Sequence, residues 1–415
     1  MSGRADPASG PERHDIETAL AAAVPAGARV ALGDGCGTPF ALHAPLSRIA
    51  AARPLSALLG WLPAPVPNLD LTAFTDVRVL MGGPGSRATV EAGIAHLVPA
   101  RLSALPSLLR RELRPDVLLA TLVRGPAGLH FGSEVSYQRG LVEAGVPVVG
   151  IISNGTPFAD AGRPLPEDAV TVVGECDDGP TEISNPPPTE TDRVIARTVA
   201  ALVPEGARVQ VGPGRLAAAI AATIDVPVRV DSGLLPDPVV DLDARGLLIG
   251  EPISTYLCGT RRLYDWANGR PLLHPLEYTH DPTRLSSSDP APLIALNAAL
   301  EIDLDGQVNV EGTGQGAVGM IGGHPDFATA GVRGDGLSVI ALASSHRGVP
   351  TLVDRLSRPV TTPSHDIDIV VTERGAADLR GLDRPERRIA LAELWAGEVA
   401  TVGDLHLATS HSPRS

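Results

Sequence analysis

The sequence predicts an α/β protein built from two tandem doubly wound α/β domains. A twelve-residue match recurs at half-chain spacing, the longest apolar runs have the composition of buried parallel strands, and helical patterns alternate with those runs. Alternation of this kind is typical of parallel sheets covered by helices. The chain of 415 residues is long enough for two domains with substantial cores.

The repeat is the observation that sets the organisation. The segments VPAGARVALGDG at 24–35 and VPEGARVQVGPG at 203–214 share the pattern V-P-x-G-A-R-V-x-(L/V)-G-x-G, and an Ala-rich stretch precedes each copy. Each copy reads as helix, Pro-Gly turn, short strand, glycine turn and helix. We interpret the two halves as duplicates of one module.

Three consecutive prolines separate the copies. The run Asn185–Thr189 cannot continue a helix and favours an extended linker, so the next helix begins near Asp192. We predict an N-terminal domain at 15–185 and a C-terminal domain at 190–405. The polar ends at 1–14 and 406–415 are predicted to be disordered tails.

Continuous runs of β-branched residues and leucine supply the strands. Such runs suit parallel strands that are buried on both faces. The runs lie at 77–83, 116–123 and 146–152 in the first half, and at 226–230, 337–342 and 366–373 in the second.

Composition excludes several classes of function. The net charge of −14 argues against binding to nucleic acid or to an anionic membrane. The chain contains no lysine, so a phosphate group must be held by arginine or by backbone N–H groups. The three scattered cysteines favour a cytoplasmic location and predict no metal site. No apolar run is long enough for a membrane span, and the N-terminus does not read as a signal peptide.

Two glycine-rich segments are candidate ligand sites. Gly212-Pro213-Gly214-Arg215-Leu216 follows a strand and opens a helix, where backbone N–H groups can bind an anion and Arg215 adds a charge. Glycine at such a turn serves packing as often as binding. The segment 301–331 contains Gly322 and Gly323, whose adjacent N–H groups can meet one oxygen, as an oxyanion hole requires. A mobile glycine loop is the alternative, with His324 as an ordinary hydrogen-bonding residue.

The same segment carries a resemblance to a known family. NAALEIDLDGQVNVEGTGQGAVGMIGGHPDF at 297–327 and VTTPSHDIDIVVTERGAADLRG at 360–381 closely resemble the C-terminal domain of the acetyl-CoA hydrolase/transferase family. GTRRLYDWANGRP at 259–271 resembles that family too, and the first half does so more weakly. The resemblance implies tandem CoA-transferase-like domains that act on short acyl-CoA thioesters and a small carboxylate. Coenzyme A is then a substrate or ligand, with no tightly bound cofactor, and the protein is expected to be a homodimer.

The resemblance also suggests CoA-binding residues. It places the Gly212–Leu216 turn at the family's CoA-contacting glycine loop, and Gly322 and Gly323 at its second CoA loop. Arg347 stands where the family has a lysine, which keeps the charge but changes its geometry.

One departure from the family lies at the nucleophile. The family uses a glutamate before a V-V-D-L sequence, and alignment on Val239-Val240-Asp241-Leu242 puts Gly233 at that glutamate. A transferase glutamate forms an acyl anhydride and then a glutamyl-CoA thioester, and glycine can form neither. Asp231, two residues earlier, is the candidate catalytic carboxylate, although Asp231 and Asp237 are also typical turn residues. Glu311 matches a family glutamate that is not the nucleophile.

Two classes of function follow from these residues. In the first, the protein is an enzyme that transfers CoA from an acyl-CoA to a carboxylate, or hydrolyses the acyl-CoA, with a rearranged carboxylate. In the second, it binds CoA or acyl-CoA without transferase chemistry, as a pseudoenzyme or a partner subunit. A lyase or ring-opening hydrolase is a third reading, because fold alone does not fix function.

Overall fold

In the computed structural model, which describes residues 13–313, 316–317 and 319–397, the chain forms two compact units. Unit 1 comprises residues up to 98, 105–181 and 267–275, and unit 2 comprises the remainder. The predicted tails at 1–14 and 406–415 lie outside the described residues, except that Arg13 and His14 begin the first helix.

Unit 1 is organised around a parallel sheet in the strand order β4-β3-β2-β1-β5-β7-β8, with β6 antiparallel to β5. Alternate residues of the central strands, such as Val30 and Leu119, pack with Leu20 of α1 and Leu46 of α2 in one buried cluster. The strands are β1 Arg29–Leu32, β2 Ser56–Leu59, β3 Asp76–Val79, β4 His96–Leu97, β5 Val117–Gly125, β6 Gly128–His130, β7 Val148–Ser153 and β8 Val170–Cys176. The helices are α1 Arg13–Ala23, α2 Phe40–Ala52, α3 Arg87–Glu91, α4 Leu105–Arg110 and α5 Gln138–Glu143.

Unit 2 contains a second sheet in the order β10-β9-β13-β18-β22-β23, parallel except for the edge strand β23. Its larger strands are β9 Arg208–Val211, β10 Arg229–Val230, β13 Leu293–Ala298, β18 Leu337–Ala341, β22 Ile369–Thr372 and β23 Gly375–Asp378. The short strands are β11 Leu234–Leu235, β12 Tyr256–Leu257, β14 Glu301–Asp303, β15 Val308–Asn309, β16 Gly312–Thr313, β17 Gly316–Ala317, β19 Ser345–His346, β20 Val349–Pro350 and β21 Leu352–Val353.

Helices of unit 2 cover this sheet. Phe327 and Ala330 of α12 pack on Leu293 and Ala295 of β13, which point to the same face of the strand. The helices are α6 Glu190–Ala200, α7 Arg215–Thr223, α8 Pro238–Ala244, α9 Arg261–Ala267, α10 Leu276–Thr279, α11 Pro282–Leu285, α12 His324–Arg333 and α13 Arg384–Ala396. The predicted α/β fold class with parallel sheets is confirmed, and each of the six predicted apolar runs overlaps a strand.

The two copies of the repeat fold alike. Gly27 and Gly206 both have positive φ, at 77° and 80°, and their N–H groups donate to the carbonyl oxygens of Pro54 and Pro227, at 2.9 and 2.7 Å. Each is followed by a strand, β1 or β9, that pairs in parallel on both sides. The linker prolines adopt no helix, and Thr189 is the N-cap of α6, with Asp192 closing a capping box three residues later.

The left-handed glycine of the repeat gives a direct test of this local structure. Gly206→Ala is expected to lower the free energy of unfolding by about 1 kcal/mol, because alanine disfavours positive φ although the site has open space. Gly212 also has open space but no positive φ, so Gly212→Ala is the matched control and is expected to change stability by less than about 0.5 kcal/mol. Urea unfolding measures the free energy of unfolding of both variants. Equal losses of stability in the two would contradict the explanation from backbone conformation.

Candidate active site

The Gly212–Leu216 turn connects β9 to the N-terminus of α7. Gly214 is the N-cap residue with φ of 101°, and no side chain caps the helix. A Cβ atom placed on Gly212 or Gly214 would meet no atom within 4 Å, and Pro213, Gly214 and Arg215 are exposed. An uncapped helix start with open space above its glycines suits an anionic group.

Arg215 does not extend freely from this turn. Its Nε lies 2.7 Å from Oδ2 of Asp192, and the same carboxylate accepts hydrogen bonds from the backbone and hydroxyl of Thr189. Burial opposes ionisation of Asp192, but these hydrogen bonds and the charge of Arg215 lower its pKa below the ordinary value. Arg215 therefore ties the start of α7 to the start of α6, and its guanidinium is shared between that ion pair and solvent.

The Gly322–Gly323 loop precedes α12 and is held in place by a neighbouring segment. The carbonyl oxygen of Gly322 accepts from the N–H of Leu102 at 3.1 Å. Asp326 accepts from the N–H and hydroxyl of Ser103, at 3.0 and 2.6 Å, and burial raises its pKa to about 6. Among the described residues, the N–H groups of Gly322 and Gly323 have no hydrogen-bond acceptor. They are thus available to an oxygen atom of a ligand.

Three further residues singled out in the sequence lie elsewhere in unit 2. His324 is the first residue of α12, and its Nδ1 lies 2.7 Å from the hydroxyl of Thr362, as expected for a hydrogen-bonding residue. Arg347 is exposed at φ of 51° in the turn between β19 and β20. Glu311 accepts from the Thr361 hydroxyl at 3.2 Å, and burial raises its pKa.

His280, which the sequence did not single out, packs against both Gly233 and Gly323. A Cβ atom on Gly233 would lie 3.0 Å from Nε2 of His280, and a Cβ atom on Gly323 would lie 2.5 Å from the same nitrogen. The imidazole is buried, at 1% exposure, and stacks edge-on against Phe327 with 5.0 Å between ring centroids. Because neither glycine has a side chain, the imidazole ring fits against the backbone of both.

The environment of His280 keeps its imidazole neutral. Burial and the positive charge of Arg284 lower its pKa to about 3. Its Nδ1 lies 2.9 Å from the hydroxyl of Thr279, whereas its Nε2 is buried without a hydrogen-bond partner in the described structure. A buried nitrogen without a hydrogen-bond partner destabilises the folded protein.

Asp231 lies in a buried ion-pair network. Arg284 binds it in bidentate fashion, with Nη1 to Oδ2 at 2.7 Å and Nη2 to Oδ1 at 2.9 Å, and Arg208 adds a contact to Oδ2 at 3.1 Å. Asp231 is 1% exposed. Both carboxylate oxygens are therefore engaged by arginine, which favours an anchoring role. The catalytic role assigned to Asp231 from the sequence stays a prediction.

Asp237 also makes structural contacts. Its carboxylate accepts from the N–H of Thr260 at 3.1 Å and from the Thr260 hydroxyl at 2.9 Å. These bonds join the start of α8 to the segment after β12. Both aspartates near Gly233 thus hold neighbouring chain segments in place.

The sequence held one signal that pointed to His280. Histidine is the side chain whose ordinary pKa lies closest to neutrality, and a histidine within a predicted active-site domain is a candidate acid or base. Because 46 residues separate His280 from Gly233 along the chain, only the folded structure shows their proximity.

Comparison with known proteins identifies the class to which this fold and site belong. The sequence model of the acetyl-CoA hydrolase/transferase C-terminal domain matches residues 259–397. A succinyl-CoA:cyclohexane-1-carboxylate CoA transferase of Geobacter metallireducens is 30% identical over 334 residues, 74% of this chain and 75% of the relative. A 4-hydroxybutyrate coenzyme A transferase of Clostridium kluyveri is 25% identical, over 76% of this chain and 78% of the relative.

Solved structures share the fold. RipA from Yersinia pestis superimposes with a TM-score of 0.82 at 23% identity, covering 92% of this chain and 93% of RipA. The chain therefore has the α/β fold of RipA. By its sequence, the chain belongs to the acetyl-CoA hydrolase/transferase family.

No helix in the described part of the chain has the length and apolar character of a membrane span. Cys36, Cys176 and Cys258 form no disulfide bond, and residues 13–313, 316–317 and 319–397 contain no cluster of three or more His, Cys, Asp or Glu side chains that could hold a metal ion.

The anchoring role of Asp231 can be measured as stability. Asp231→Asn is expected to lower the free energy of unfolding by about 3 kcal/mol, because it leaves the buried guanidinium of Arg208 and the partly buried one of Arg284 without their counter-charge. Asp241→Asn is the matched control, because Asp241 pairs with Arg262 near the surface and its loss is expected to cost less than about 1 kcal/mol. Urea unfolding at neutral pH measures the free energy of unfolding of both variants, and equal losses of stability would contradict an anchoring role for Asp231.

The competition for space between position 233 and His280 predicts an energetic coupling. Gly233→Glu is expected to be destabilising by about 1–3 kcal/mol, because its Cβ would contact Nε2 and Cε1 of the buried ring. In a His280→Asn background, which removes those two atoms, the same change is expected to cost at least about 1 kcal/mol less. A double-mutant cycle from thermal or urea unfolding measures the coupling, and additive effects would show that the ring does not occupy this space.

Proposed function

We propose that the protein cleaves short acyl-CoA thioesters, either by transferring CoA to a small carboxylate or by hydrolysis. Membership of the acetyl-CoA hydrolase/transferase family is the observation that carries this proposal. The two relatives described above bear the names of CoA transferases for succinyl-CoA and for 4-hydroxybutyrate, which suggests acyl groups of small carboxylic acids here.

Coenzyme A is proposed to bind unit 2 through its two glycine segments. The uncapped N-terminus of α7 at Gly212–Leu216 offers backbone N–H groups to a phosphate or to the pantetheine chain. Arg215, half-exposed beside Asp192, and Arg347, exposed in its turn, are the proposed cations. In a chain without lysine, these guanidinium groups suit the charge of CoA.

The thioester carbonyl is proposed to lie at Gly322 and Gly323. Their N–H groups are adjacent and have no acceptor within the described residues, so both can donate to the oxyanion that forms when the carbonyl is attacked. The segment that holds this loop, through Leu102 and Ser103, fixes the donors before substrate arrives. Donors that are already positioned stabilise the transition state without reorganising.

The route through a glutamyl-CoA intermediate does not fit this site. Position 233 carries no side chain, and the oxygens of Asp231 are bound to two arginines. We therefore propose that the thioester is cleaved without a covalent intermediate on a carboxylate of the protein. We also propose a cytoplasmic location, which suits three cysteines that form no disulfide bond, and a homodimeric assembly by analogy with the family.

A second candidate is a protein that binds CoA without cleaving thioesters. The absence of a side chain at Gly233 favours it, because the covalent chemistry of the family needs a carboxylate there. Binding of CoA with neither thiol release nor formation of a new acyl-CoA would support this candidate over the enzyme.

The enzyme proposal predicts thioester cleavage without an enzyme-bound CoA. Purified protein is incubated with propionyl-, butyryl- and succinyl-CoA, with and without acetate; free thiol reports hydrolysis, and acetyl-CoA formed from acetate, separated by chromatography, reports transfer. Free thiol or new acetyl-CoA is expected from at least one substrate, and borohydride trapping followed by intact-mass measurement is expected to show no CoA thioester on the protein. Calorimetric CoA binding with neither product from any substrate would refute the enzyme, and a trapped adduct would refute the non-covalent route.

A further inference from the structure

We propose that Asp326 is a positioning residue for the candidate oxyanion loop, Gly322–Gly323. Because Ser103 holds its carboxylate, Asp326 fixes the direction of the N–H of Gly323 and leaves that N–H to the substrate instead of capping it. This inference rests on the proposed function, since it takes the thioester carbonyl to lie at this loop. Three hydrogen bonds and a comparison between helix starts of the same chain support it.

Three helix starts of unit 2 can be compared because each has an acid at the third helical position, and in two of them that acid caps the helix. In α6, the carboxylate of Asp192 accepts from the N–H of the N-cap residue Thr189 at 2.7 Å. In α13, the carboxylate of Glu386 accepts from the N–H of the N-cap residue Asp383 at 2.8 Å. This return bond of a capping box satisfies one of the N–H groups that a helix start leaves without a partner.

Helix α12 has the acid but not the return bond. Gly323 is its N-cap residue, which makes Asp326 the third helical residue. Both oxygens of Asp326 are used by Ser103 instead, because Oδ2 accepts from the backbone N–H at 3.0 Å and Oδ1 accepts from the hydroxyl at 2.6 Å. The N–H of Gly323 therefore has no acceptor among the described residues, whereas its counterparts in Thr189 and Asp383 are capped.

A neighbouring hydrogen bond fixes where the N–H of Gly323 points. The carbonyl oxygen of Gly322 accepts from the N–H of Leu102 at 3.1 Å. That carbonyl belongs to the same trans peptide unit as the N–H of Gly323, and the two groups of a planar trans peptide point in opposite directions. Since Leu102 directly precedes Ser103, the bonds from Ser103 to Asp326 hold the donor that orients this peptide. The N–H of Gly323 is thereby directed away from Leu102.

The carboxylate of Asp326 can hold Ser103 in this way only when it is ionised. Asp326 is 1% exposed, and burial raises its pKa to about 6, although the hydrogen bonds from Ser103 and the charge of Arg101, 3.8 Å away, favour the ionised form. An ionised carboxylate accepts at both oxygens, whereas a protonated one carries a donor on one of them. The ionised form is therefore present at neutral pH and is lost as the pH falls through about 6.

The two histidines at this loop do not titrate between pH 5 and pH 8. Burial lowers the pKa of His280 to about 3 and that of His324 to about 4, so both stay neutral over this range. Arg101 is the charged group that contributes to the pKa of Asp326. The other titratable groups on the elements packed against α12 and residues 102–104 are Arg284 on α11, Glu277 on α10, and His365 and Asp366 in the turn at 364–366.

The test measures kcat of the full chain from pH 5 to pH 8 with propionyl-, butyryl- and succinyl-CoA. Asp326→Asn keeps the shape of the carboxylate but replaces one acceptor oxygen by a donor, as protonation does. At pH 8 it is expected to lower kcat at least about tenfold, because oxyanion donors act only when correctly placed, with a Kd for CoA within about threefold of wild type. At pH 5 the ratio of wild-type to variant kcat is expected to fall below about threefold, since the wild-type carboxyl is then protonated too.

Two further comparisons separate positioning from stability. Ser103→Ala removes the hydroxyl donor and is expected to lower kcat at least about fivefold at pH 8, whereas Ser103→Thr keeps a hydroxyl and is expected to stay within about twofold of wild type. Asp366→Asn is the matched control. Asp366 is also buried and accepts from a hydroxyl of α12, that of Thr329 at 2.7 Å, and its variant is expected to keep kcat within about twofold at every pH.

Asp326→Asn with a kcat within threefold of wild type at pH 8, or a ratio that stays constant from pH 5 to pH 8, would overturn the inference. If Asp326→Asn does not fold, Ser103→Ala takes its place, and a wild-type kcat in that variant would overturn the inference. Neither thiol release nor a new acyl-CoA from wild type would overturn the proposed function. Amide exchange then tests the inference by NMR: after correction for intrinsic rates, the N–H of Gly323 is expected to exchange faster than those of Thr189 and Asp383, and slower exchange would overturn it.

Discussion

Two arginines converge on the buried carboxylate of Asp231, and the arrangement of the candidate site depends on this network. Asp231 continues β10, Arg208 begins β9, and Arg284 belongs to α11. Arg208 also donates from Nε to the carbonyl oxygen of Ala291 at 2.7 Å and from Nη2 to that of Leu285 at 2.8 Å. One carboxylate thus joins the edge strand β10 and the first residue of β9 to the segment that carries His280. Breaking a buried pair of this kind is costly, because the remaining charges lose their compensation.

The network has a chemical consequence at Gly233. With the carboxylate of Asp231 committed to arginine, the strand end presents no free acid beside the glycine, and the space there belongs to the ring of His280. A glutamate at position 233 and an imidazole at position 280 would compete for the same volume. The family fold is retained although position 233 carries no carboxylate, and fold alone does not fix the reaction.

The sequence predicted the fold well because its signals are local or repeated. The Pro-Gly turns at Gly27 and Gly206 fix their own backbone, and continuous apolar runs such as 337–342 have the composition of parallel strands buried on both faces. The site was less predictable. The ion pairs of Asp231 and the approach of His280 to Gly323 join residues dozens of positions apart, so no pattern along the chain encodes them. The pairing of Arg215 with Asp192 is likewise a tertiary contact that the glycine turn does not reveal.

The central claim is that the thioester is cleaved with no acyl or CoA group on a carboxylate of the enzyme, so that water attacks directly when no acceptor carboxylate is present. Repeated turnover of acetyl-CoA in ¹⁸O-labelled water tests it most directly, followed by mass measurement of the product acid and of the peptides that contain Asp231, Asp237 and Glu311. The account predicts that each product molecule carries a solvent oxygen and that the three peptides stay unlabelled. Label accumulating in any of these carboxylates would show that the enzyme's own oxygen enters the reaction, and would contradict the account.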